Sequence, residues 1–336
     1  MTEELRLSRV EAAVLISKAL EENSVSRANA ASVAAALVDA EADGQKGHGF
    51  SRVLAYCAQA RAGKVKGEAE PVCETVTPAF LIVDALNGFA FPAIDMAIEQ
   101  LVPLTRKTGI AGAAITRSHH CGQLGAHVER LAERGIMAIM VANTPKSMAP
   151  WGGNEALFGT NPIAFSVPRH GNPPMVMDLS LSKVARGKIM AASQTGDPIP
   201  AGWALDADGN ETTDAKAALG GTMLPAGDAK GAALALMVEV LAASLTGANY
   251  SYEASTFFND QGPPPGTGQF FITIDAGQVT HNRFAGRFEK LVTAITDQEG
   301  ARLPGTSRLA AREAADRDGL IISRDLHAKI TALTGN

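Results

Sequence analysis

Short apolar runs that end in polar residues and glycines recur along the chain, and this pattern limits its fold more than any other feature. Residues 110–116 lead into Arg-Ser-His-His, residues 136–141 lead into a polar Asn-Thr-Pro-Lys segment, and residues 175–179 lead into serines and cations. Runs of this length bounded by turn signals are typical of buried strands. Open α/β sheets bind ligands at the ends of their strands. The pattern therefore predicts an α/β fold with a small-molecule site at strand ends.

Residues 152–188 are the segment that most favours such a site. Glycines at 152, 153 and 159 allow tight turns, and Thr160 and Asn161 can hydrogen-bond a small acid. The strand predicted at 175–179 is followed by hydroxyls and fixed cations, namely Ser180, Ser182, Lys183, Arg186 and Lys188. This combination fits the wall of a small-molecule site. A turn-rich connection between strands explains the same residues equally well.

Periodicity predicts helices around these strands. The clearest spans residues 8–22, where Ser8 and Glu11 have the spacing of a capping box. Other helices are predicted at 26–43, 51–62, 91–109, 126–135, 231–245 and 283–296, and other strands at 71–83 and 269–275. An Asn-Gly pair within 83–89 predicts a strand, a turn and the start of another strand. The residues after 308 are predicted to be helical.

Composition excludes several classes of protein. The 336 residues suggest about two structural units at roughly 150 residues each. The net charge of −5 and the dispersed basic residues argue against a nucleic-acid partner. The three cysteines lack metal-ligand spacing, and an odd, unpaired set fits a reducing compartment. Because the chain shows neither a signal-like N-terminus nor an apolar run of about 20 residues, we expect a soluble, cytoplasmic protein that does not bind membranes.

A histidine between two glycines, Gly47-His48-Gly49, is the first candidate for chemistry. Arg52 lies four residues on, so both side chains can face one side if a helix begins here. Imidazole can donate a proton near neutral pH, and a guanidinium can bind a carboxylate through two parallel hydrogen bonds. A helix end with an incidental exposed histidine is the better explanation of this motif alone. Together with the motifs downstream, the segment favours a functional site.

Residues 117–125 form a Ser/His/Gly turn between a predicted strand and a predicted helix. Such a turn leaves free backbone N–H groups at the helix start, which form a ready anion site. His119 and His120 point in different directions, so one can meet a substrate while the other packs or caps. Adjacent histidines suit a metal ion poorly and no carboxylate stands at metal spacing, so no metal is predicted. A helix cap with an interior histidine is the less favoured alternative.

Together, these motifs resemble the malate/L-lactate dehydrogenase family whose fold is not Rossmann. The resemblance covers nearly the whole chain and rests on GHGFSR (47–52), RSHHCG (117–122), LFGTNPIAF (157–165), MDLSLSKVARGKI (177–189), residues 224–248 and RLPG (302–305). It implies a mixed sheet flanked by helices, with a helical terminal domain from 1–70 and 300–336 and a substrate- and cofactor-binding α/β region at 71–299. It also implies NADPH or NADH as cofactor and a homodimer whose site can draw on both subunits.

The resemblance implies roles for individual residues. His48 would donate a proton to a carbonyl oxygen or imine nitrogen, and His120, near the nicotinamide, is a second candidate. Arg52 would bind the substrate carboxylate. Other substrate contacts would come from Thr160, Arg186 and Gly187, and Lys188 is a further catalytic candidate. The cofactor would contact His120, Cys121, Gly122, Gln123, Leu124, Asp178, Leu179, Ser180, Lys230, Arg302, Pro304, Gly305 and Arg308. Taken alone, Lys230 is better explained as a solvated lysine at a helix cap.

Within the family, the chain most resembles the Δ1-piperideine-2-carboxylate/Δ1-pyrroline-2-carboxylate reductases. The segments DALNGFAFPA (84–93), YEAS (252–255) and ARLPG (301–305) favour this branch. Gly47 stands where the family usually has serine, and Lys188 stands where this branch has an acidic residue, so a Ser-His-Asp relay cannot be carried over. The implied function is reduction of a small 2-imino or 2-oxo carboxylate. The alternatives are a 2-hydroxy acid dehydrogenase of the malate, lactate or sulfolactate type, and a non-catalytic ligand-binding relative.

Overall fold

A mixed seven-stranded sheet lies at the centre of the computed structural model, which describes residues 4–335. The described strands are β1 (Glu4–Leu7), β2 (Val72–Thr77), β3 (Phe80–Asp84), β4 (Ile110–Ser118), β5 (Met137–Ala142), β6 (Ile163–Val167), β7 (Met175–Leu179), β8 (Ala204–Leu205), β9 (Glu211–Thr212), β10 (Thr222–Met223), β11 (Thr267–Ile274) and β12 (Leu320–Ser323). The sheet has the order β2-β3-β4-β11-β5-β6-β7. Only β3 and β4 pair in parallel, and the other neighbours are antiparallel.

Helices flank this sheet. They are α1 (Arg9–Glu21), α2 (Arg27–Ala42), α3 (Val53–Arg61), α4 (Ala90–Thr108), α5 (Leu124–Glu133), α6 (Arg186–Thr195), α7 (Ala215–Gly220), α8 (Ala229–Glu239), α9 (Ala276–Val279), α10 (Phe284–Thr296), α11 (Thr306–Asp318) and α12 (Arg324–Thr331). Two 3₁₀ turns, Lys46–His48 and Phe50–Arg52, precede α3. The predicted α/β fold with a mixed sheet between helices is confirmed.

Strand β11 joins the two halves of the sheet. It comes from late in the chain and lies between β4 and β5, with Phe271 opposite both Ala113 and Met140. Successive residues of a strand face opposite sides of the sheet. Phe271 therefore packs into the core under α4 and α5, whereas Phe270 packs into the core on the other side, under α8. Burial of β11 on both faces explains its run of apolar residues.

A third core joins the two ends of the chain. Strand β1 pairs antiparallel with β12, so that Leu5 lies opposite Ile322. The core beneath contains residues of α1, α2 and α3 together with Leu320, Ile322 and Ile330. Helix α1 begins with the predicted capping box, in which Ser8 and Glu11 cap each other. These are contacts that a terminal helical unit requires, and the division of the chain into two units stays a prediction.

Three local predictions are wrong. The Asn-Gly pair at 87–88 does not join two strands, because the amide of Asn87 donates to Arg117 O at the end of β4 and the chain then enters α4. The helix predicted at 231–245 begins earlier and ends at Glu239, where it passes into a π-helical turn over Val240–Ser244. The residues after 308, predicted to be helical, are interrupted by strand β12, which pairs with β1. Strands β1 and β6 and the small sheet β10-β8-β9 lie in segments where no strand was predicted.

Candidate active site

Two histidines from distant parts of the chain meet at the junction between the terminal helices and the sheet. The Nδ1 atom of His48 lies 3.2 Å from Nε2 of His120, within hydrogen-bond distance. Their ring centroids are 5.2 Å apart and their planes are nearly parallel. His48 stands in the turn before α3, and His120 follows the end of β4. The structure therefore brings together the two candidates for proton transfer.

The glycine after His48 allows close packing against helix α2. A side chain at Gly49 would come within 2.1 Å of Oε2 of Glu41. That carboxylate is buried and accepts a hydrogen bond of 3.0 Å from the amide of Phe50. Gly47, in contrast, has open space where a side chain would lie. Gly49 therefore permits the helix-to-turn contact that sets the position of His48.

Tyr56 extends the histidine pair into the protein. Its hydroxyl lies 2.5 Å from Nδ1 of His120, on the ring edge opposite His48. Burial, together with the nearby charge of Arg52, lowers the pKa of His48 to about 4 and holds the pKa of His120 well below its usual value. Both imidazoles are therefore neutral near pH 7. A neutral imidazole donates through one nitrogen and accepts through the other, so the three side chains form a continuous hydrogen-bonded chain.

Arg52 lies beside this chain and is held from two sides. Its Nε donates to the carbonyl of Gly47 at 2.7 Å. Its guanidinium lies over the ring of Phe258, 4.9 Å from the centroid, within the range of a cation–π contact. Because Nε is engaged, the terminal nitrogens remain as the donors that a carboxylate needs. The geometry fits the predicted role of Arg52.

His119 is buried and does not take part in the chain. It is 1% exposed, and neither ring nitrogen has a hydrogen-bond partner in the described structure. Phe257, Tyr56 and Phe89 surround it at centroid distances of 5.2, 5.5 and 5.8 Å. Burial lowers its pKa to about 3. The prediction that one of the paired histidines packs while the other faces a site is consistent with these positions.

The prediction of a free anion site at the start of α5 is wrong. The amide of Gly125 donates to Oδ2 of Asp178 at 2.7 Å, so a carboxylate of the chain itself occupies the helix start. The dipole of a helix favours a negative charge at this end. Asp178 thereby attaches the end of β7 to α5, although the residue itself is exposed.

Several of the segments implied to bind the cofactor lie beside β7 or directly after it. Gly305 packs so tightly on this strand that a side chain would lie 2.9 Å from Val176 O. Leu179, the last residue of β7, is 59% exposed. The amide of Lys183 donates to Leu224 O at 2.8 Å, which places the turn before α8 beside the same strand end. Lys230, Arg302, Pro304 and Ser180 are also exposed.

Other implied cofactor residues point into the protein. Cys121 and Leu124 are buried in the core, and Gly122 packs on Phe91 with a φ of 68°. Gln123 donates to Oδ2 of Asp43 at 2.9 Å. Within residues 120–124, only the backbone and the side chain of His120 therefore remain to contact a cofactor.

Arg308 is likewise engaged inside the protein. It is 8% exposed and binds both oxygens of Glu129, at 2.6 and 2.8 Å, and Asp43 at 3.1 Å. Arg312 completes this network of ion pairs. The placement favours a structural role for Arg308 over the implied contact with a cofactor.

The other implied substrate residues lie before β6 and after β7. Thr160 receives a hydrogen bond on its carbonyl from Leu181, and its amide donates to Oγ1 of Thr144 at 2.9 Å. Arg186, Gly187 and Lys188 form the first turn of α6, with Gly187 and Lys188 exposed. Their roles toward a substrate stay predictions.

Sequence reasoning missed Tyr56, Phe257 and Phe258. Tyr56 lies four residues after Arg52 on α3, and this helical spacing was a usable signal. The two phenylalanines lie in an irregular segment, where periodicity gives no indication of which side chains turn inward. Residues 4–335 contain neither a cluster of three or more metal-ligating side chains nor a helix long and apolar enough to cross a bilayer.

Burial of the histidines predicts a loss of stability in mild acid. The pKa of His127, which is 4% exposed, is lowered to about 4 by burial, as that of His119 is to about 3. An unfolded histidine titrates near 6.5, so below that pH the unfolded chain binds protons that the native protein does not. The free energy of unfolding should have its highest value above pH 6.5. It should fall by about 1–3 kcal/mol for each such imidazole by pH 4.5.

Urea titrations between pH 7 and 4.5 would measure this loss. His127→Gln preserves a donor for the carbonyl of Cys121 and should make the loss smaller, whereas His170→Gln, at an exposed position, should not. An unfolding free energy that stays level from pH 7 to pH 4.5 would contradict the prediction.

Comparison with known proteins identifies the family of the chain. The model of the malate/L-lactate dehydrogenase family matches residues 7–331. A (2R)-3-sulfolactate dehydrogenase (NADP(+)) of Chromohalobacter salexigens is 50% identical over 306 residues, 91% of each chain. A Δ1-pyrroline-2-carboxylate/Δ1-piperideine-2-carboxylate reductase of Pseudomonas aeruginosa is 40% identical over 332 residues, 98% of this chain and 99% of the relative.

A solved structure shows the same architecture. The Δ1-piperideine-2-carboxylate reductase of Pseudomonas syringae pv. tomato matches with a TM-score of 0.93 and 38% identity, over 98% of this chain and 99% of that one. The resemblance of the sequence motifs is thereby confirmed, as is the expectation of an enzyme of the dehydrogenase and reductase class. The chain belongs to the malate/L-lactate dehydrogenase family.

Proposed function

We propose that the protein is an NAD(P)H-dependent oxidoreductase that reduces a small 2-imino or 2-oxo carboxylate. The observation that carries the proposal is the hydrogen-bonded chain of Tyr56, His120 and His48 beside Arg52. Such a reduction needs a group that fixes a carboxylate and a group that delivers a proton to the neighbouring heteroatom. This corner of the protein offers both within one small region.

Arg52 is the group that fixes the carboxylate. Its terminal nitrogens bind the carboxylate, and Phe258 holds the guanidinium plane in place. The histidine chain supplies the second need, because a protonated His48 donates a ring proton to the reduced oxygen or nitrogen and becomes neutral, while its hydrogen bond to His120, continued by Tyr56, fixes the orientation of the ring. The carboxylate bound by Arg52 would also favour the protonated form of His48, since a nearby negative charge raises the pKa of an imidazole.

The residues at the end of β7 fit a nicotinamide cofactor. Exposed Leu179 offers an apolar surface, Ser180 offers a hydroxyl, and Lys230 and Arg302 offer cations for phosphates. When bound, the cofactor supplies the hydride, and the protein orients it against the substrate carbon. Dependence on NADP is supported by the relative that is 50% identical, whose name includes NADP(+).

Two classes of substrate are compatible with this site. The cyclic imines Δ1-pyrroline-2-carboxylate and Δ1-piperideine-2-carboxylate are favoured by the reductases that match nearly the whole chain. A 2-oxo acid with a second anionic group, such as 3-sulfopyruvate, is favoured by the sulfolactate dehydrogenase relative and by the cations Arg186 and Lys188 in the first turn of α6. A positive charge near a protonated imine is unfavourable, whereas the same charge attracts a sulfonate.

The experiment that tests the function is oxidation of NADPH and NADH by the purified protein with five substrates in parallel: the two cyclic imines, 3-sulfopyruvate, oxaloacetate and pyruvate. We expect turnover of the imines with a KM that is not raised in Lys188→Ala, because loss of a positive charge does not weaken the binding of a protonated imine. A preference for 3-sulfopyruvate, with a raised KM in Lys188→Ala, would assign the oxo acid. Absence of turnover with all five would refute the proposal and favour a non-catalytic relative.

His48 should be essential for the chemical step. A positioned general acid contributes on the order of 10²–10⁴ in rate, so His48→Ala should lower kcat by that factor with little effect on the affinity for NADPH. His170→Ala, at an exposed position, serves as the control. Near-normal turnover of His48→Ala would remove His48 from the mechanism.

We also propose a homodimer, formed through one face of α8 and the π-helical turn after it. Leu236, Met237, Val240 and Leu245 are 41–53% exposed, and contiguous exposed apolar side chains mark interaction sites. A second copy of this chain is the proposed partner. Sedimentation at micromolar concentration should show a dimer, and Leu236→Glu should yield a folded monomer. A monomeric wild type would contradict this proposal.

A cytoplasmic location is supported by the cysteines. Cys57, Cys73 and Cys121 are all free thiols, and two of them are buried. Free thiols persist in reducing compartments. Recovery of the protein outside the cytoplasmic fraction of the cell would contradict the proposal.

A further inference from the structure

A buried lysine outside the histidine chain binds the loop that covers it. Lys64 lies just beyond the end of α3 and is 2% exposed. Its ammonium donates to the carbonyls of Thr256, Asn259 and Gln261 at 2.7, 2.9 and 2.7 Å. An ammonium has three donors, so all of its hydrogen bonds are directed at one loop.

The absence of a paired charge makes this contact informative. Within residues 4–335, Lys64 forms no ion pair with a carboxylate, and Asp260 of the same loop is the acid whose charge acts on it. A buried cation is unfavourable unless its donors are satisfied. Here backbone carbonyls of a single loop satisfy them, so the lysine and the loop conformation depend on each other.

Gln59 is a second anchor for the same loop. Its Nε2 donates to the carbonyls of Phe257 and Asn259 at 2.9 and 3.0 Å. Arg52, Tyr56 and Gln59 are spaced four and three residues apart, which places them on one face of the helical segment. The same face therefore carries the carboxylate-binding arginine, the end of the histidine chain and an anchor of the loop.

The loop places two aromatic rings on the site. Phe257 contacts His119 and His120 at centroid distances of 5.2 and 5.3 Å. Phe258 lies under the guanidinium of Arg52. A change in the loop would therefore move the ring that packs on His120 and the ring that holds Arg52.

We propose that Lys64 and Gln59 are positioning residues that hold residues 256–261 as a wall of the active site. Through Phe258 they fix the orientation of Arg52 toward the substrate carboxylate, and through Phe257 they keep water away from His120. The inference rests on the proposed function for its kinetic consequences, whereas the attachment of the loop is independent of it.

The kinetic test compares Lys64→Met with Lys66→Met, a matched change at an exposed lysine two residues on. In Lys64→Met, the KM for the carboxylate substrate should rise at least tenfold, while the Kd for NADPH changes less than twofold. Gln59→Leu should shift KM in the same direction by a smaller factor. Lys66→Met should behave as the wild type.

A purely structural role gives a different result. In that case Lys64→Met would lose activity in proportion to its unfolded fraction, with an unchanged KM, and this outcome overturns the proposal. If Lys64→Met does not fold, Phe258→Leu provides the test, because this ring is 45% exposed and its loss spares the core. An unchanged KM in Phe258→Leu also overturns the proposal.

Hydrogen exchange separates this inference from the function. Amides of residues 256–261 should exchange at least tenfold faster in Lys64→Met than in Lys66→Met, without any substrate present. If the wild type reduces none of the five substrates, the proposed function fails, yet this measurement still tests the attachment. Equal exchange in the two variants refutes it.

Discussion

A buried network of ion pairs holds the active site together. Asp43, at the end of α2, binds Arg308 and Arg312 of α11, and both arginines also bind Glu129 of α5. Burial raises the pKa of Asp43, but the hydrogen bond from Arg312 and the charge of Arg308 outweigh burial, and the pKa lies below its usual value. A buried charge is tolerated only when such partners are present. The network therefore fixes α2, α5 and α11 relative to one another.

The positions of the segments that carry His48 and His120 depend on this arrangement. His48 comes five residues after Asp43, and His120 comes three residues before Gln123, which donates to the same carboxylate. The network thus brings a turn of the terminal helices against a strand end of the sheet. The two imidazoles meet at 3.2 Å in a largely desolvated corner, where burial keeps them neutral. The histidine proposed as proton donor and the arginine proposed to bind the carboxylate then lie on one surface, as the proposed reduction of a 2-oxo or 2-imino acid requires.

Local rules succeeded where a short segment carries its own signal. The capping box at Ser8 and the strand β11 follow from the local sequence alone. They failed where a distant contact decides. The Asn-Gly pair before α4 is diverted by hydrogen bonds to the end of β4, and Asp178 occupies the helix start that appeared free for an anion. Neither partner is visible in the local sequence.

The sequence by itself determined the family, the α/β class and the residue types proposed for the chemistry, because motifs such as GHGFSR and RSHHCG carry the resemblance to the family. Only the tertiary structure decided which of these residues lie together. It paired His48 with His120, buried His119, engaged Arg308 with Asp43 and Glu129, and turned Phe257 and Phe258 onto the site. The reason is physical: desolvation and hydrogen bonding depend on neighbours that can lie far away in the chain, as Lys64 and Gln261 do at a separation of 197 residues.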